Sequence, residues 1–80
     1  MKNENSKYII KIIPHSRLDL QGFYTGLAET EEGTIAATVQ DEENTQVKVF
    51  DGLQAATEEY MYILANAVNI TRNDVCFLKK

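Results

Sequence analysis

Two apolar periods run through this chain: a period of two in several short stretches, and a period near 3.6 over residues 51–68. Residues 8–13 (Tyr-Ile-Ile-Lys-Ile-Ile) are rich in β-branched side chains and stop at Pro14, which predicts a first strand. Tyr8, Ile10 and Ile12 share one face, while Ile9 and Ile13 flank Lys11 on the other. Apolar residues on both faces imply a central strand, or one that a partner covers on its second side. Residues 15–21 mix polar side chains with Leu18 and Leu20 and end at Gly22, predicting a loop whose leucines tuck under the sheet.

Residues 23–29 and 34–40 predict the two arms of a β-hairpin, and Thr30-Glu-Glu-Gly33 supplies the reversal, with Gly33 available for positive φ. On the second arm Ile35, Ala37 and Val39 alternate with Thr34, Ala36, Thr38 and Gln40. On the first, Phe23, Thr25 and Leu27 alternate with Tyr24, Gly26 and Ala28, and Gly26 marks a bulge or a close approach of the helix. A polar loop follows at 41–46, then a fourth short strand at 47–50.

Residues 51–68 predict the helix. Asp51 suits the N-cap and Gln54 stands three residues on, the spacing of a capping box. Leu53, Ala56, Tyr60, Ile63, Leu64 and Ala67 then mark a core-facing stripe. Met61 and Val68 widen it on one flank, and Ala55, Glu59, Tyr62 and Asn66 lie opposite. Asn69 is read as a left-handed C-cap, with Ile70 folding back onto the helix. A turn at 71–74 and a last strand at 75–78 complete the order β-β-β-β-α-β. The expected fold class is α+β: a small antiparallel sheet of four to five strands with one helix packed across one face. Tyr24 and Phe77 are expected outside the helix-covered face.

Eighty residues make one domain at 7–80, preceded by a frayed lead-in at 1–6. Apolar and charged fractions of 44% and 25% are ordinary for a globular chain. No apolar stretch approaches the ~18 residues of a membrane span, and residues 8–13 are too short for the core of a signal peptide. A cytoplasmic location without membrane attachment is the resulting expectation, and the Asn69-Ile70-Thr71 sequon is then incidental.

Charge changes the picture more than composition does. Ten of the twelve carboxylates lie between Asp19 and Glu59, where Lys48 is the sole basic residue, so the middle of the chain carries −9. Residues 1–18 carry +3 and residues 60–80 carry +2. Asymmetry of this kind bears on partners. With Asp51 assigned to a cap, two loop clusters remain, Glu29/Glu31/Glu32 and Asp41/Glu42/Glu43, along with Glu58 and Glu59 on the helix. Hairpin arms of about seven residues at ~3.3 Å each place the clusters roughly 20 Å apart, at opposite ends of the sheet. They serve either recognition or simple solubility.

Catalytic chemistry finds little to work with. His15 stands beside Ser16 and four residues from Asp19, but adjacent side chains rarely converge and a triad is assembled from distant positions. Cys76 reads as a small buried hydrophobe. Neither acidic cluster has the alternating oxygen spacing of a calcium loop. Scattered Lys and Arg argue against direct nucleic-acid binding, and Gly22, Gly26 and Gly33 lack the spacing of a phosphate loop. No catalytic residue, cofactor or metal is therefore expected.

The apolar first strand, the hairpin opened by Gly-Phe-Tyr-Thr-Gly (22–26), and Val-Lys-Val-Phe (47–50) running into Asp-Gly-Leu-Gln-Ala-Ala (51–56) resemble a class of small phage and prophage proteins of low-GC Gram-positive bacteria. The resemblance implies an accessory role in a bacterial host, binding and redirecting a host factor. It carries over no catalytic residues, since the class has no agreed ones.

Two functions follow as expectations. One is a non-enzymatic protein-binding module or inhibitor that presents Glu29, Glu31, Glu32, Asp41, Glu42 and Glu43 to a basic surface, with Tyr62 as an exposed anchor. The other is a homo-oligomeric scaffolding subunit, a homodimer at its simplest, paired through a sheet face or an edge strand.

Overall fold

The computed structural model describes residues 6–14 and 21–80, so the predicted loop with His15, Leu18 and Leu20 lies outside the described residues, as does the lead-in up to Asn5. The first strand, β1 (Lys7–Ile12), forms the centre of an antiparallel sheet. On one side it pairs along its length with the last strand, β5 (Val75–Lys79), from Tyr8 opposite Lys79 to Ile12 opposite Val75. Its other side is divided. β2 (Gly22–Thr30) takes Lys11 and Ile12, and the two-residue β4 (Phe50–Asp51) takes Lys7 and Tyr8. β3 (Gly33–Val39) extends the sheet beyond β2 as the second arm of the hairpin. The fold is α+β, a five-stranded antiparallel sheet with one helix, α1 (Leu53–Asn66), packed across it.

The shared side of β1 corrects the strand expected at 47–50. β2 already occupies one half, so the incoming chain pairs with β1 only at Phe50 and Asp51. Just before them, the Lys48 N–H donates to the Tyr24 carbonyl at 3.1 Å, and Val47 turns into the core.

Gly26 does mark a bulge. Tyr24 stands opposite Thr38 and Gly26 opposite Ala37, which leaves Thr25 as an extra residue. Gly26 holds φ at +134°, a conformation that L side chains rarely adopt. An extra residue reverses the alternation of faces. Phe23 and Leu27, predicted on one face, therefore end on opposite ones.

Each face carries its own apolar cluster, as the two-sided β1 pattern required. Under the helix lie Ile10, Ile12, Tyr24, Ala36, Ile63, Ala67 and Ile70, flanked by Leu27, Phe50, Val75 and Phe77. On the second face Ile9, Phe23 and Val47 are buried together, with Val39 and Leu78 against them. Lys11 lies over the Phe23 ring at 5.5 Å from its centroid. Tyr24 and Phe77 thus belong to the helix-covered face, contrary to expectation, and Phe77 meets Tyr60 edge-on at 5.5 Å. For Tyr24 the cause is strand parity: it neighbours Phe23, which is committed to the other cluster.

The helix begins one residue later than its cap signal. Asp51 belongs to β4, where it stands opposite Lys7 and its carboxylate takes an ion pair from the Lys7 ammonium. The N-cap is Gly52, which makes the turn at φ +93° and has no side chain to offer. Gln54 donates to Glu58 at 3.4 Å instead of reaching back. The buried stripe is also narrower than the pattern suggested. Ala56, Ile63 and Ala67 are buried, whereas Leu53, Met61 and Val68 are 50%, 64% and 63% exposed. A two-residue β4 beneath the helix start leaves too little sheet to cover Leu53.

Candidate functional site

The hairpin tip is built from a two-residue turn. Thr30 pairs with Gly33, and Glu31 and Glu32 project between them. The Thr30 hydroxyl donates to the Gly33 carbonyl at 2.8 Å and accepts the Glu32 N–H at 3.2 Å, which fixes the turn locally. Gly33 completes the reversal at φ +121°. Behind the turn, the Glu29 carboxylate accepts the Thr34 hydroxyl at 2.7 Å. All three glutamates are exposed.

The end of α1 is stitched onto this tip. The chain leaves the helix in an extended conformation at Ala67, whose N–H donates to Ile63 at 2.7 Å. The Val68 N–H then donates to the Thr34 carbonyl at 2.8 Å. Asn69 is not the left-handed cap that was expected: no residue other than glycine among those described has positive φ. Its side-chain amide instead accepts the Ala36 N–H at 3.0 Å and donates to the Ala36 carbonyl at 3.3 Å. One amide thereby imitates a neighbouring strand along part of the outer edge of β3.

This stitching sets the acidic tip beside an apolar surface. A Cβ placed on Gly33 would sit 3.5 Å from Val68 Cγ1. Met61, Tyr62 and Ala65 occupy the exposed side of the last helical turns, with Tyr62 57% exposed as predicted. The turn that carries Glu31 and Glu32 therefore lies against the segment that leaves the helix, while Tyr62 stands further back on α1, four residues before its end at Asn66. The sequence pattern sets Met61 and Val68 on one flank of the buried stripe; Met61 lies about 140° round the helix from Ala56 and Val68 follows the extended exit at Ala67, so both are exposed.

The second acidic cluster stands apart. Seven residues of β3 separate it from the tip, roughly 23 Å at ~3.3 Å per residue. There the Asp41 carboxylate accepts the Glu43 N–H at 3.0 Å, and the Asp41 carbonyl accepts the Asn44 N–H at 3.0 Å. Asp41, Glu42 and Glu43 are exposed, and the bonds of Asp41 account for the shape of its loop.

Glu59 was expected on the solvent side of the helix. It is half-buried, and its Oε2 accepts the Tyr24 hydroxyl at 2.6 Å. Burial, followed by this hydrogen bond and by the charges of Glu59 and Tyr62, holds the Tyr24 hydroxyl well above the usual tyrosine range. Cys76, expected to be buried, is exposed, because strand parity on β5 sends it to the second face beside Leu78 and away from the helix. Among the described residues, no group of three or more His, Cys, Asp or Glu side chains could hold a metal ion. No helix among them is long and apolar enough to cross a membrane.

No protein-family model, curated protein or solved structure matches this chain.

Proposed function

We propose that this protein is a small non-enzymatic binding module whose contact surface is the acidic hairpin tip together with the exposed end of the helix. The observation that carries this reading is the hydrogen bond from the Val68 N–H to the Thr34 carbonyl at 2.8 Å, which ties the exposed Val68 to the strand that leaves the Glu31–Glu32 turn. An apolar centre with a charged rim is the usual anatomy of a protein interface. Tyrosine anchors such surfaces at low entropic cost, and methionine adapts to irregular partners. The partner is a protein with an apolar depression edged by Lys or Arg. Charge acts over a Debye length of about 8 Å at physiological salt, so the glutamates favour association rate and orientation more than affinity. The resemblance to phage proteins makes a bacterial host factor the natural target and inhibition or redirection of it the natural outcome. Asp41, Glu42 and Glu43 have the simpler role of a solvated loop.

Affinity capture from bacterial lysate, at low and moderate salt, tests the reading. One protein should be retained by the wild type and lost both from Glu31→Lys/Glu32→Lys and from Tyr62→Ala. The control Asp41→Lys/Glu42→Lys should still retain it. Retention that neither tip nor helix variant disturbs overturns the proposal.

A further inference from the structure

The two outer strands of the sheet are finished differently. β3 has its edge covered by the Val68 N–H and the Asn69 amide. β5 has β1 as its one strand partner among the described residues. Its hydrogen-bonding parity follows from two backbone bonds: Ile13 N–H to the Asp74 carbonyl, and Lys80 N–H to the Lys7 carbonyl, both at 2.7 Å. Alternation from these fixed ends directs the backbone groups of Cys76 and Leu78 toward β1 and those of Val75, Phe77 and Lys79 outward. Along this edge the register with β1 runs without a bulge, and the strand contains neither Gly nor Pro. Among the described residues, no bulge, glycine, proline or covering segment therefore blocks its middle, and Lys79 guards one end.

We infer that β5 is a self-association edge and that its occupant is β5 of a second copy, paired antiparallel about a two-fold axis through Phe77. The register follows from the strand itself. A Phe77-centred pair matches all three outward residues, with Phe77 opposite Phe77 and Val75 of each copy opposite Lys79 of the other. Each matched pair exchanges both of its backbone hydrogen bonds. Centring the pair one residue earlier, on Cys76, sets Lys79 against Asn73 of the 3-10 turn Arg72–Asp74 and Lys80 against Arg72. That register loses a matched pair and juxtaposes like charges. Centring it on Leu78 carries Val75 past Lys79, where β5 ends, and leaves two matched pairs instead of three. The Phe77 register also keeps Lys79 of one copy away from Lys79 of the other, and places Cys76 of each copy beside Leu78 of its neighbour on the second face. The two sheets then join into one continuous antiparallel sheet through isologous contact, the commonest closed symmetry. This surface is separate from the hairpin tip, so the inference stands or falls independently of the binding reading above.

Light scattering over a concentration series should show the mass doubling at high micromolar concentration. Lys79→Pro removes an outward N–H, at the kind of edge position where proline is tolerated, and leaves the bonds to β1 in place. This variant should remain monomeric with an unchanged circular dichroism spectrum. Register is tested separately with two proteins that both carry Cys76→Ser, one with Val75→Cys and the other with Lys79→Cys. Mild oxidation should cross-link their mixture and neither protein alone. A wild type that stays monomeric at high micromolar concentration, a Lys79→Pro protein that still dimerises, or an oxidised mixture without cross-links overturns the inference.

Discussion

The Tyr24 hydroxyl donates a 2.6 Å hydrogen bond to Glu59 Oε2, joining the hairpin to the helix across the sheet–helix interface. Tyr24 is fully buried and Glu59 half-buried, so the acceptor is charged while the donor is cut off from water. Hydrogen bonds to charged groups contribute about 1.5–3 kcal/mol, and part of that is recovered when Glu59 rehydrates after the donor is lost. Tyr24→Phe should therefore reduce stability by about 1–2 kcal/mol in urea denaturation. A double-mutant cycle with Glu59→Ala should give a coupling of about 1 kcal/mol, and a coupling near zero would show that the pair is incidental.

The same pair makes stability depend on alkaline pH. The Tyr24 hydroxyl loses its proton less readily in the folded protein than in the unfolded chain, first because it is buried and then because Glu59 accepts its proton and adds negative charge. Below ~pH 10 both states keep the proton and the full contribution is present. Above it the unfolded chain ionises first, so stability falls as pH rises, by at most about 1.4 kcal/mol per unit for one group. The wild type should lose stability faster than Tyr24→Phe between about pH 10 and 12, and the difference between the two proteins isolates Tyr24 from the remaining tyrosines. Parallel curves would contradict the assignment.

Asn69 holds the outer edge of β3 through both ends of its amide. Asn69→Ala removes two hydrogen bonds and should lower stability by about 1–2 kcal/mol. Asn69→Asp keeps the acceptor facing the Ala36 N–H but turns an anion toward the Ala36 carbonyl, where a donor stood. It should be less stable than Asn69→Ala at neutral pH. That carbonyl raises the aspartate's folded pKa, so the penalty is absent below the unfolded value near ~4 and grows as pH rises. Thermal melts of the two variants at neutral and mildly acidic pH check this. An aspartate variant as stable as the alanine one at both would refute the two-pronged clamp.

Legibility of the sequence divides along physical lines. The two-faced β1 and the strand at β3 were visible from their period of two, although in β3 the buried residue is Ala36 and the alternating Ile35, Ala37 and Val39 stay half-buried. The bulge was visible too, since an internal glycine at position 26 has few other uses in a strand. Features that depend on competition for a partner were not. Asp51 has good capping chemistry, yet Lys7 and the β1 backbone claim it first. Val47 and Val49 resemble strand residues, but β2 had already taken the backbone they needed. Of the candidate surface, the exposed glutamates and Tyr62 were readable from local pattern. The outward turn of Val68 was not, because it follows from where the chain goes after Ala67, whereas the exposure of Met61 follows from helix phase, about 140° from Ala56.

The narrowed helix stripe gives the most direct test of the packing. Ile63 is fully buried beneath the helix beside Ile10, Ile12 and Tyr24. Replacing it with alanine removes buried methyl groups and leaves a cavity, which should cost about 2–5 kcal/mol. Leu53 belongs to the same predicted stripe but is 50% exposed at the first position of α1. The first helical turn carries no acidic residue. Leu53→Glu therefore loses little burial and adds a negative charge where the helix dipole favours one, worth about 0.3–1 kcal/mol. Its stability should stay within about 0.5 kcal/mol of the wild type or rise slightly. If Leu53 were a core residue, burying a carboxylate there would unfold so small a domain. Chemical denaturation of Ile63→Ala and Leu53→Glu side by side separates the two cases, and a Leu53→Glu loss as large as that of Ile63→Ala would restore the broad stripe.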